Sequence, residues 1–160
     1  MTVLALLVSL AVPSLFTFIN NNRLQAQTDE LVTALNVARS EAAVRRQTAG
    51  VCSTTDGVNC ANDAWDQGWM VWLDTNGDGL PGPPPTEILR VSIYGAGLPA
   101  AQRVTVTAGP LLSGPVLFNS AGIANTGGVE TLTVSKSGAQ VINTISLTPF
   151  GQITVTESVP

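Results

Sequence analysis

The sequence predicts an α+β protein in which one long N-terminal helix packs across an antiparallel β-rich head built from one sheet or two. Three observations lead there. The first nineteen residues carry no charge and run without a break into a segment of helical period. After Gly50 the apolar period changes from about four to two. Gly, Pro, Asn and Ser then cluster between short runs rich in Val, Ile, Thr and Trp.

The first element, residues 1–19, reads MTVLALLVSLAVPSLFTFI. As a helix it spans about 28 Å, close to the thickness of a bilayer's hydrocarbon core. It has no basic n-region and no small-x-small cleavage site before polar sequence, so a membrane anchor fits it better than a cleaved signal peptide or a buried soluble helix. Leu4, Leu7, Leu10 and Phe16 are expected on the membrane side of this segment, and Pro13 should bend it.

Residues 20–49 continue the helix as an amphipathic lower half. Leu24, Thr28, Leu31, Leu35, Ala38 and Ala42 fall on one narrow stripe, with Arg, Gln, Asp and Asn on the other faces. Leu24, Leu31, Leu35 and Ala38 are therefore the expected packing residues between helix and head. The helix should stop near Thr48-Ala49-Gly50.

Residues 50–160 form the head. The expected strands are 68–74, 88–94, 103–108, 116–118, 131–136, 141–147 and 152–157. Ser137-Gly138 and Pro149-Phe150-Gly151 read as turns, and Pro81 to Pro85 as a stiff loop. Trp69, Val71 and Leu73 alternate with Met70 and Trp72 along one run. That strand should be buried on both sides, against the helix and a neighbouring sheet.

Composition narrows the function. Charged residues make up only 11% of the chain, which carries a formal net charge of −4. The head has Arg90, Arg103 and Lys136 against eight acids, a field that repels a phosphate backbone and disfavours nucleic acid as a partner. There is no histidine, so the commonest general base and transition-metal ligand are missing. Ser40 has no base to activate it, and no catalytic residue is expected. Cys52 and Cys60, with no His and no second Cys pair, do not make a zinc site. Behind a membrane anchor they read as a disulfide in an oxidising compartment.

Asp74-Thr75-Asn76-Gly77-Asp78-Gly79 matches the first half of a calcium loop. Position twelve is Pro85 instead of Glu, with Glu87 the nearest acid. Two readings stand: a weak calcium site on Asp74, Asn76 and Asp78, or a polar turn leaving the strand. No other cofactor is expected.

Three stretches together carry a family resemblance. The apolar run ending Val12-Pro13-Ser14, with Asn22-Arg23-Leu24 and Leu35-Asn36-Val37-Ala38-Arg39-Ser40-Glu41-Ala42, resembles the start of type IV minor pilins and type II secretion pseudopilins of the GspH/FimT branch. Cys52, Cys60, Trp65, Gly68-Trp69-Met70-Val71-Trp72 and Asp74 to Gly79 are similar to the same branch, and weaker similarity runs through Leu117-Phe118-Asn119, Gly122 and Pro149-Phe150-Gly151. The resemblance implies a type IV pilin-like fold and a non-enzymatic structural and assembly subunit. It would be a single-pass protein of the bacterial inner membrane with its head in the periplasm, extracted by an assembly platform into a pilus or pseudopilus. Its partners would be other pilins or pseudopilins in a helical filament. It also implies that a basic leader and the first mature residues precede Met1 in the whole protein. The alternative is a FimT-type minor pilin that binds DNA for uptake. Such members carry arginines after the C-terminal Gly, where this sequence has Gly151-Gln152-Ile153-Thr154-Val155.

Overall fold

The fold is that of a computed structural model, which describes residues 2–61, 64–82, 87–95, 97–99, 102–110, 112 and 114–159, with side chains from residue 15 onward. One helix, α1, runs from Thr2 to Arg45, and Pro13 does not end it. The side chains of Leu4, Leu7, Leu10 and Pro13 lie outside the described residues, as do Pro83, Pro84 and Pro85 of the predicted stiff loop.

The lower half of α1 is the spine of the head. Leu24, Thr28, Leu31, Leu35, Ala38 and Ala42 are all fully buried, as is Ala34 beside them. A stripe spaced by three and four puts these side chains on one face. Each of the three leucines contributes about 2 kcal/mol by leaving water.

The helix ends earlier than expected. Arg46 adopts a left-handed conformation (φ 55°) and Gln47 N–H donates to Ala42 C=O at 3.2 Å, the long bond of a Schellman cap. The chain is then already extended: β1 covers Thr48–Ser53. The expected helix through residue 49 is corrected by this strand. It is central to its sheet, between β2 (Gly68–Asp74) and β5 (Val116–Phe118), with β3 (Ile88–Ile93) outside β2. A second antiparallel sheet has the order β4 (Thr105–Ala108), β6 (Glu130–Ser135), β7 (Ile142–Leu147), β8 (Ile153–Ser158).

Both sheets pack on α1, and a single core joins them. Val51, Trp69 and Val71 supply it from the first sheet, and Leu132, Val134, Ile145 and Leu147 from the second. Every residue of β2 is buried, as predicted for the Trp strand. Its second face is not covered by the other sheet. Met70 and Trp72 form a separate small core with Cys52, flanked by Cys60, Ile88 and Leu117. Both sheets use their inner faces on the helix, so this outer face needs its own cover. Trp72 lies across Gly50 of the neighbouring strand, where a Cβ would stand 2.5 Å from the indole. That close approach is the reason for a glycine inside β1.

Candidate functional site

Two surfaces of α1 and two loops of the head hold the residues singled out in the sequence. Where α1 leaves the head, Leu15, Phe16 and Phe18 are about 60% exposed (59%, 63% and 62%). Six residues further on, Leu24 is fully buried. Among the described residues no helix is long and apolar enough to cross a membrane. Most of the predicted span, residues 1–14, has side chains outside that description.

Polar contacts fix the helix on the head along the same seam. Asn143, buried on β7, donates to Gln25 Oε1 at 3.1 Å and Thr28 Oγ1 at 3.0 Å. Gln140 N–H donates to Asn21 Oδ1 at 3.0 Å, beside the Ser137-Gly138 turn. Glu30 accepts from Arg90 and from Ser92 Oγ, tying the helix to β3. None of these partners was legible beforehand, because each bond joins residues sixty or more positions apart.

Cys52 on β1 and Cys60 in the following loop form a disulfide, with Cα atoms 5.6 Å apart. The loop is closed further by Asp56. Its carboxylate accepts from Asn59 N–H at 2.9 Å, the Asn59 side chain at 2.8 Å and Val58 N–H at 2.8 Å. These bonds to the charged form hold Asp56 far below the usual carboxylate range. The bridge covers the Trp72 face.

The Asp74 loop is built on its own backbone. Asp74 Oδ1 accepts from Gly77 N–H at 2.7 Å and Asp78 N–H at 3.1 Å, and Oδ2 accepts from Gly79 N–H at 3.1 Å. Asn76 donates to Asp78 Oδ2 at 2.9 Å, and Asp78 Oδ1 accepts from Leu80 N–H at 2.8 Å. Glu87, 3% exposed, closes the far side by accepting from the Thr75 hydroxyl, from Thr75 N–H and from Gly82 N–H. The Thr75 hydroxyl, with the two amides, holds its pKa below the usual carboxylate value. Asp74, Asn76 and Asp78 are thus brought together, with their oxygens turned to amides. Among the described residues no group of three or more His, Cys, Asp or Glu side chains is placed to hold a metal ion.

The motif residues of the helix and of the last third also converge. Arg39 lies against Gly122 and Gly151, two glycines with left-handed backbones in turns of different sheets. A Cβ on Gly151 would come within 3.0 Å of Arg39 Nε. Ala124 N–H donates to Pro149 C=O at 2.9 Å, holding the two turns side by side. This arrangement can bind and position, but it holds no nucleophile–base pair.

The family described as type II transport protein GspH matches residues 27–151. Two crystal structures of the type IV minor pilin FimU from Pseudomonas aeruginosa superpose on the chain. One, in space group P21, gives a TM-score of 0.63 at 22% identity, covering 89% of this chain and 96% of that one. The other, in space group P65, gives 0.60 at 18% identity, covering 85% and 96%. A search of curated protein sequences finds no match.

Proposed function

The chain belongs to the type II transport protein GspH family of minor pilins and pseudopilins, and from that premise we propose that it is a non-enzymatic structural and assembly subunit of a type IV pilus or type II secretion pseudopilus. One observation carries the reading. A single helix buries one face in the head from Leu24 to Ala42 and leaves it with Leu15, Phe16 and Phe18 exposed to solvent. A rigid head is thereby fused to an apolar rod that needs another apolar environment. An uncharged rod is stable in lipid and also in a bundle of like helices, so the subunit can pass from one to the other. On this reading residues 1–19 anchor the chain once in the bacterial inner membrane, with the head in the periplasm. The partners are other pilins or pseudopilins and the platform that extracts them.

The acidic head favours this over reception of DNA, since duplex phosphates would meet a net charge of −5. Expression from its own locus, alongside the remaining subunits, tests the proposal. The chain should co-purify with sheared filaments or pseudopili, and recovery only as an isolated membrane protein would sink it. A low-salt mobility shift with duplex DNA would instead support the uptake reading, because phosphate contacts are strongest there.

A further inference from the structure

Beside the seam between α1 and the head lies a groove of about 600 Å³. Thr33, Asn36, Arg39 and Ser40 line it from the helix, and Ala121 and Gly122 from the head. Most of its polar groups are already used. Thr33 Oγ1 donates to Asp29 C=O at 2.7 Å, Asn36 Nδ2 to Val32 C=O at 3.0 Å and Ser40 Oγ to Val37 C=O at 2.9 Å.

Arg39 differs. Among the described residues it has no hydrogen-bond or ion-pair partner, whereas Arg45, Arg90 and Arg103 pair with Glu41, Glu30 and Asp66. Arg23 and Arg46 also lack an acid, but neither lines this groove. Arg39 is half-buried, and its Nε and Cζ rest on the two glycine turns, within 3.3 Å of where a Gly151 Cβ would be. The head thus positions a planar fork of N–H donors, partly removed from water, with nothing to accept from it.

We propose that this groove takes an Asp or Glu side chain of a neighbouring subunit, with the Arg39 guanidinium binding its carboxylate in the two-bond geometry such pairs adopt. The inference rests on the assembly reading above. The occupant follows from charge. A polyanion would be repelled by the acidic head along its length, whereas one carboxylate on a protein surface engages Arg39 at short range, with distant charges screened beyond about 8 Å. The site also sits on α1, among the described residues the one element that leaves the head.

The test uses the full chain expressed from its own locus with the other subunits. A photo-crosslinking residue replaces Ala121 in the groove, and in a separate strain Phe16 on the exposed helix. The Ala121 probe should capture a subunit peptide that contains an Asp or Glu. Arg39→Glu should lower that yield by about tenfold or more, Arg39→Lys less, and replacing the captured acid by Arg should restore the yield with Arg39→Glu. The Phe16 cross-link and the melting temperature should not move. Four results would overturn the groove alone while Phe16 still cross-links: no Ala121 product, capture of nucleic acid, a captured peptide without an acid, or yields indifferent to Arg39→Glu and Arg39→Lys. Loss of both cross-links in the unsubstituted background would overturn the assembly reading as well.

Discussion

Opening the Cys52–Cys60 bridge should lower stability by an amount set mainly by the unfolded chain. The two cysteines are eight positions apart. A loop that short, left open in the denatured ensemble, returns chain entropy worth about 2.5 kcal/mol at 25 °C. The perturbation is the double substitution Cys52→Ala with Cys60→Ala, which leaves β1 and its pairing with β2 intact. For a chain of this size about 2.5 kcal/mol corresponds to roughly a 10 °C fall in melting temperature. In urea, with a slope near 2 kcal/mol per molar, the midpoint should drop by about 1 M. The slope should also rise slightly, because the uncrosslinked chain exposes more surface when unfolded. The assay is urea denaturation of the full chain in mild detergent, followed by tryptophan fluorescence, to which Trp72 under the bridge contributes. A midpoint shift under about 0.3 M with an unchanged slope would refute the reasoning, since it would mean that the closed loop does not constrain the denatured chain.

Leu31→Ala, at a fully buried position, should cost about 3 kcal/mol, whereas Phe16→Ala, 63% exposed, should leave the unfolding midpoint of the head within about 0.5 kcal/mol. Gly151→Ala should destabilise by about 1–2 kcal/mol, because the residue sits at φ 75° and its Cβ would press on Arg39 and on the Gly122 carbonyl; thermal melts read this. Glu87 has a folded pKa below its ordinary 4.5, so its contribution is complete above that value and is lost as pH falls through the folded pKa. The stability gap between the native chain and Glu87→Gln should therefore be widest near neutral pH and narrow below about pH 4.5, measured by melting temperature against pH. With the Asp74 oxygens on amides, the melting temperature should be the same in EDTA and in millimolar calcium; a rise with calcium would show that Asp74, Asn76 and Asp78 form a site.

What could be read in advance follows from how local each signal is. Leu24 to Ala42 declared a buried helix face through spacing alone, since 3.6-residue periodicity is carried by neighbours in sequence. The seven expected strands all form, most within one or two residues of the expected ends, because β-branched runs between turn residues are equally local. β1 was invisible for the same reason. It contains Ala and Gly, both poor strand formers, and five of its six residues are buried, so no alternation marks it. Its glycine looks like a helix stop until Trp72, twenty-two positions away, is seen to lie on it. The lid on Met70 and Trp72 escaped because a disulfide reads in sequence as a loop closure, while here it also covers a hydrophobic face. Arg39 is the clearest case. In sequence it is one polar residue on a helix, and only the meeting of Gly122 and Gly151, from turns of two different sheets, turns it into an oriented cation. The residues that meet around Arg39 are also ones on which the family resemblance rests. A helix and two distant turns meet there at one side chain, so a change at either glycine should be felt at Arg39 before it is felt in the core.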